Sequence, residues 1–205
     1  SKYYQLFRLI DAQIPIPQTC ITNSYYELKN FISEVGKVVF KPLTGGYYCR
    51  EVNHSVLDFL RDTPSEPIIF QEYIKGLDIR VYLLNGEVIS SHILENDKDY
   101  LDYRQNPNFS TSEYQYTPVN LPDHVIKFCA NAANILGLHF TGIDLKMDEK
   151  GDYYLIECNS MPVYMDAEMK LKAPITDKII DALENAKSQC ILLQKPTLYL
   201  NPTED

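Results

Sequence analysis

The stretch from Phe140 to Ser160, FTGIDLKMDEKGDYYLIECNS, leaves the chain little freedom of local structure. Apolar residues recur on both sides of EKGD, and Lys150-Gly151 stands where a tight turn belongs, so the pattern predicts a β-hairpin. With those two residues as the loop, Glu149 pairs with Asp152, and the ladder sets Leu145 opposite Ile156 and Asp144 opposite Glu157. Ile143, Leu145, Met147, Tyr154, Ile156 and Cys158 then share one face as core, and Asp144, Glu157 and Asn159 share the other. Like charges directly across a ladder are destabilising. A shared proton or a bound cation would relieve the pair, and the plain alternative is a solvated hairpin face that tolerates it.

Of cations, magnesium suits this set, because it takes oxygen ligands from one or two carboxylates and completes its shell with water and phosphate. The rest of the chain reads as alternating short helices and strands. YYQLFRLIDA predicts a helix from Lys2, ended by the extended IPIPQT. A second helix runs from Tyr25 to Val35, with Asn23 and Ser24 as candidate caps. KVVFKPL and EVNH read as a hairpin over Lys37 to His54 with its loop near Gly45 and Gly46, followed by a short helix and the strand PIIFQEYI. DIRVYLL and EVISSHIL are joined by Asn85-Gly86, a strong hairpin signal; Asp78 and Arg80 fall on one face, Ile79, Val81 and Leu83 on the other. Glu95 to Asn120 is polar and Tyr-rich and reads as a long ordered loop or lid. A helix from Leu121 to about Gly137 precedes the opening hairpin, another follows from Pro174 to about Ser188, and LYLNPTED reads as a fraying tail or an edge strand.

With 205 residues the chain suits one domain or two small subdomains sharing a cleft. A net charge of -9 argues against a nucleic-acid or anionic-membrane surface, both of which need a basic footprint. No signal segment or membrane-length apolar run is present. The cysteines Cys20, Cys49, Cys129, Cys158 and Cys190 lack metal-site or disulfide spacing and fit a reducing cytoplasm. His139 and His92 read as packed or surface residues rather than ligands.

Taken in order, VVFKPLTGG, IIFQEYIKGLDIRVYLLNGEV, the DYR of Asp102-Tyr103-Arg104, and FTGIDLKMDEKGDYYLIECNSMP resemble the ATP-grasp superfamily. The likeness is to the RimK-like carboxylate-amine ligases and their peptide-crosslinking graspetide relatives. It implies an α+β fold in which two subdomains with antiparallel sheets clasp ATP: a helical entry over 1–36, a nucleotide-covering part over 37–74, a larger catalytic part over 75–190 and a tail over 191–205. It further implies that ATP phosphorylates a carboxylate and that an amine attacks the acyl phosphate.

Carried over by position, Lys2 and Lys41 resemble the phosphate lysines. Gln71, Glu72, Tyr73 and Ile74 resemble the adenine-holding linker, and Asp78 and Arg80 the D-x-R after it, with Arg80 on phosphate or acyl phosphate. Arg104 resembles the arginine of DYR-type relatives, where a planar permanent cation suits phosphate. Asp144, Glu157 and Asn159 resemble the magnesium ligands. Taken singly, Lys41 could be a solvated strand end, Glu72 an exposed edge residue, Arg80 a cross-strand salt bridge and Arg104 an idle loop residue.

The loop after Lys41 departs from the family, offering only two glycines before two tyrosines where backbone N–H groups should close over phosphate. Family members normally carry an N-terminal substrate-side domain before the opening helix, so the chain is expected to be the ATP-grasp part of a longer enzyme or to work with a shortened substrate site or a partner. Carboxylate and amine substrates, small molecules or peptides, are the expected partners, and oligomerisation is common in such families. A non-catalytic ATP-binding sensor or scaffold is the rival reading, and a kinase-like relative a third.

Overall fold

In the computed structural model the described residues are 2–41, 48–63, 65–95, 100–109, 111 and 113–186. The expected glycine loop at Gly45 and Gly46 and the tail LYLNPTED lie outside them. Strands β1 (Thr19–Thr22), β2 (Val38–Phe40), β3 (Arg50–Glu51) and β4 (Ile68–Glu72) form a four-stranded antiparallel sheet in the order β1-β4-β2-β3. Strands β5 (Gly76–Leu84), β6 (Glu87–Leu94), β7 (Tyr116–Pro118), β8 (Phe140–Asp148) and β9 (Tyr153–Asn159) form a five-stranded antiparallel sheet in the order β7-β6-β5-β8-β9. The helices are α1 (Lys2–Asp11), α2 (Tyr25–Val35), α3 (His54–Asp62), α4 (Asp123–Ile135), α5 (Met165–Leu171) and α6 (Ile175–Glu184). The expected α+β fold with two antiparallel sheets is therefore present.

Each sheet has its own core. Leu28 of α2 and Leu60 of α3 pack on Val38 and Phe70 of the smaller sheet. Leu9 of α1 and Val125, Cys129, Ala132 and Ala133 of α4 pack on Ile79, Val81, Leu83, Ile143, Leu145, Leu155 and Cys158 of the larger one. Fully burying each such Leu, Ile or Val contributes roughly 2 kcal/mol. The period-2 reading of β5 holds, since Ile79, Val81 and Leu83 are core and Asp78 and Arg80 face away from it. Asn85 and Gly86 both take positive φ, 51° and 84°, as the tight hairpin between β5 and β6 requires.

The opening hairpin differs from its sequence reading in two places. The strands stop at Asp148 and resume at Tyr153, so the loop is Glu149 to Asp152 rather than Lys150-Gly151 alone, and Glu149 does not pair with Asp152. Asp148 Oδ1 accepts from the N–H groups of Lys150 and Asp152, both at 2.9 Å, and Gly151 at φ +87° closes the turn. Leu145 accordingly faces Leu155, not Ile156, and Tyr153 and Leu155 join the core in place of Tyr154 and Ile156. A β-bulge then inserts Ile156 and shifts the ladder by one, which restores Asp144 opposite Glu157. The two offsets cancel at the carboxylates.

Four further elements depart from expectation. Glu95 to Asn120 is not only loop: it carries a 3-10 turn at Tyr103–Gln105 and the edge strand β7. The segment EVNH is strand only at its start, because Asn53 caps α3 and His54 opens it. Strand β1 and helix α5 carried no sequence signal, the first being four residues long and the second having no side-chain cap. The outer edge of β9 is closed by α1 and the chain behind it. Gln5 Nε2 donates to the Cys158 carbonyl at 2.8 Å, Gln5 Oε1 accepts from Cys158 N–H at 2.9 Å, and Leu155 N–H donates to the Pro15 carbonyl at 2.8 Å. This pairing sets Lys2, three residues before Gln5, beside Glu157.

Candidate functional site

Strand register writes the site. On the face of the larger sheet turned from its core, His92 of β6 pairs with Arg80 of β5, Arg80 with Asp144 of β8, and Asp144 with Glu157 of β9. A parallel row on one side runs Leu94, Asp78, Lys146, Tyr154, and one on the other Ser90, Tyr82, Gly142, Asn159. The central row thus alternates imidazole, guanidinium and carboxylates across four strands. A cavity of about 770 Å³ lies over it, within the usual range for a small-molecule site. Lys2, Lys41, Gln71, Glu72, Tyr73, Ile74, Asp78, Arg80, Arg104, Asp144, Glu157 and Asn159 all line that cavity. The smaller sheet contributes Val39, Phe40 and the end of β4 as the opposite wall.

Contacts within the rows are unequal. Arg80 Nε lies 2.7 Å from Asp144 Oδ1, with both side chains largely buried. The pair is off the hydrogen-bond line, and neither atom has a hydrogen-bond partner among the described residues. Burial works against the Arg80 charge, but Asp144, Tyr103 and Tyr82 together outweigh it and hold the guanidinium protonated. Arg80 Nη2 also donates to the Tyr103 hydroxyl at 3.0 Å. Burial, reinforced by Asp144, pushes the Tyr103 phenol well above its ordinary value. Lys146 pairs with Asp78 at 2.9 Å. Glu157, by contrast, is reached among the described residues by long side chains from other elements, Lys2 at 3.9 Å and Lys41 at 3.6 Å. Gly142 makes room for Arg80, because a Cβ there would stand 3.0 Å from Arg80 Nη1 and 2.7 Å from Pro162 Cβ.

Arg104 lines the cavity but points its fork at its own loop. Its Nε and Nη2 donate to the two oxygens of Asp102 at 2.8 and 2.5 Å. Asp102 also accepts from Cys49 N–H at 3.1 Å, linking the lead-in to β3 with the loop that holds Tyr103. Burial raises the Asp102 carboxyl pKa, yet Arg104 and the Cys49 N–H more than offset this and hold it below the ordinary carboxylate range.

Asp144, Glu157 and Asn159 fit a hard cation. Asp144 Oδ1 is a buried oxygen without a hydrogen bond, and the Glu157 oxygens have only long ion pairs in these contacts. Asn159 uses its Nδ2 on Gly142 and Asp144, at 3.2 and 3.1 Å, which orients the amide within the set. Among the described residues no cluster of three His, Cys, Asp or Glu side chains forms a metal site. Two carboxylates and an amide match magnesium, which takes its remaining ligands from water and phosphate.

Sequence reasoning missed Lys146, Tyr103, His92, Tyr116 and Asp166 as cavity residues. Lys146 was findable, since it shares the face of Asp144 two residues along β8. Tyr103 stood inside the quoted DYR. Tyr116 and Asp166 meet only through tertiary packing, the Tyr116 hydroxyl donating to Asp166 Oδ2 at 2.6 Å.

Paired antiparallel sheets over one cavity, with a carboxylate-bearing hairpin as its floor, define an ATP-grasp fold. The chain matches the RimK-like ATP-grasp domain over residues 1–183 and belongs to that family. It is similar to D-alanine–D-alanine ligase B of Clostridium perfringens (strain 13 / Type A), with 27% identity covering 64% of this chain and 47% of that protein. Human N-acetylaspartylglutamate synthase A is 26% identical, covering 78% of this chain and 43% of that protein. Among solved structures, the ATP-grasp ligase PsnB complexed with precursor peptide PsnA2 and AMPPNP superposes with a TM-score of 0.75 at 28% identity, over 89% of this chain and 56% of that one. A RiPP-associated ATP-grasp ligase of Chryseobacterium gregarium shares the fold, with a TM-score of 0.78 at 22% identity over 92% of this chain and 60% of that one. The chain spans about half the length of these curated relatives. Among the described residues no helix is long and apolar enough to cross a membrane.

Proposed function

We propose that this chain is the ATP- and magnesium-binding part of a ligase that activates a carboxylate as an acyl phosphate and joins it to an amine. The observation that carries this is the central row, in which Arg80, Asp144 and Glu157 stand in register beneath a cavity lined by every residue the sequence motifs single out. Phosphoryl transfer is mostly positioning and charge neutralisation, so this is the chemistry such a row serves. Lys2 and Lys41 exchange Glu157 for nucleotide phosphates. Gln71 to Ile74 hold adenine at the end of β4. Asp144, Glu157 and Asn159 would hold magnesium, which would supply positive charge against the phosphates. Arg80, fixed by Asp144 and Tyr103, contacts the acyl phosphate, with Asp78 at its side. Arg104 supplies a second cation once released from Asp102.

In the same reading, residues 37–74 cover the nucleotide and 75–190 carry the catalytic face. The PsnB complex with a precursor peptide supports a peptide as substrate. Calorimetry of magnesium-dependent ATP binding, beside Asp144→Asn and Glu157→Gln, tests the proposal. Binding that needs magnesium and disappears in both variants is expected. Binding indifferent to magnesium, or retained in both variants, would sink the metal assignment.

A further inference from the structure

The contacts assigned to ATP and magnesium leave one end of the cavity unused, where His92 stands. It belongs to the central row, directly beside Arg80. The side chain is 1% exposed and lies between the Tyr82 and Tyr116 rings, with centroids 6.0 and 4.6 Å away. It lines the cavity, and its Nδ1 is buried with no hydrogen-bond partner among the described residues. A buried polar atom left without a partner carries a real penalty and calls for an explanation. Facing it are Arg80 and Asp166, the latter bonded to the Tyr116 hydroxyl and paired with Lys170 at 3.1 Å. Burial, with Arg80 second, pushes the imidazole down to about 4, so at neutral pH one nitrogen carries a proton and the other a lone pair.

We propose that His92 Nδ1 accepts a hydrogen bond from the attacking amine or hydroxyl of the acceptor and turns its lone pair toward the acyl group held at Arg80. This rests on the ligase reading above. An ammonium nitrogen has no lone pair with which to attack, so the nucleophile reacts uncharged. Its lone pair forms the new C–N or C–O bond at the acyl carbon. The bond from that carbon to the phosphate oxygen breaks, and its electron pair leaves on phosphate. The nucleophile's proton finishes on the departing phosphate, giving hydrogenphosphate, so charge and atoms balance without another reactant. His92 orients the nucleophile and ends the step unchanged.

The test is nitrogen NMR of the full chain labelled at histidine, with magnesium and AMPPNP present, titrated with methoxyamine, which is uncharged at neutral pH, and separately with n-propanol. A saturable shift of the His92 ring nitrogens, absent at His54, His124 and His139, is expected; which probe produces it assigns amine or hydroxyl. His92→Phe keeps a ring between the tyrosines, and should bind the same probe about tenfold more weakly when followed on the Tyr116 ring signals, the factor for one lost hydrogen bond. A silent His92 with both probes, or unchanged affinity in His92→Phe, overturns the assignment. Calorimetry of AMPPNP on the same sample separates the two readings. Nucleotide binding with a silent His92 removes the acceptor role alone, whereas a responsive His92 without nucleotide binding removes the ligase reading and the acceptor role with it.

Discussion

Across the larger sheet, Arg80 meets Asp144 at 2.7 Å and Lys146 meets Asp78 at 2.9 Å, whereas the smaller sheet brings Val39, Phe40 and the run Gln71 to Ile74 to the same cavity. One wall settles its charges internally by register; the other presents apolar surface and strand-end groups. The nucleotide proposed above, a phosphate chain with a purine ring, would match those two kinds of wall, and each is made by the pairing pattern of its own sheet. Glu157 breaks the pattern on the charged wall. Its cations arrive from α1 and from the end of β2, at 3.9 and 3.6 Å, so they can leave for phosphate without uncovering a buried charge. Asp144 cannot lose Arg80 so easily.

That contrast can be broken by substitution. Asp144→Asn strips the counter-ion from the largely buried Arg80 and should cost roughly 3 kcal/mol in urea unfolding while abolishing magnesium-dependent ATP binding. An equal loss in Glu157→Gln would erase the distinction between the two carboxylates. The His92 end of the row should add a pH signature. Its folded pKa, pushed down to about 4, lies below the unfolded value near 6.5, so the unfolded chain binds more protons between those values. Stability is therefore full above about pH 6.5 and falls by at most about 3 kcal/mol as pH drops toward 4. Unfolding curves from about pH 7 to about 4.5 should be flatter for His92→Phe, and an unchanged slope would place the titration elsewhere.

Gly142→Ala drives a methyl group to 3.0 Å from Arg80 Nη1 and 2.7 Å from Pro162 Cβ. About 1–2 kcal/mol should be lost, and turnover should fall more than nucleotide affinity, read as kcat against KM for ATP. Glu157→Gln closes the series. Because its ion pairs are long and partly exposed, unfolding should change by less than about 1 kcal/mol although ATP binding is lost.

Periodicity made much of this legible. Asp78 and Arg80 were placed by alternation along β5, and the hairpin after them by Asn85-Gly86. The carboxylate pair was placed correctly through a register that was wrong nearer the turn, because a longer loop and a bulge at Ile156 compensate. No single-sequence pattern announces a bulge, since its extra residue costs the ladder nothing that hydrophobicity records. Arg104 was located but not its Asp102 partner, and His92 was read as packed without the cavity beside it. The Arg104 fork closes on a carboxylate only two residues back, inside a 3-10 turn that alternation does not reveal, whereas the surroundings of His92 come from Tyr116 and Asp166, which chain-local patterns cannot bring together.

Gln5 also determines what the larger sheet refuses. A strand edge with bare N–H and carbonyl groups recruits other strands, from a peptide or from a neighbouring molecule. On β9 that edge is answered by one glutamine amide and the Pro15 carbonyl. Any extended segment is thereby kept from adding as a strand beside Glu157 and can approach only over the face of the sheet. Loss of that amide would trade a guarded border for one open to self-association.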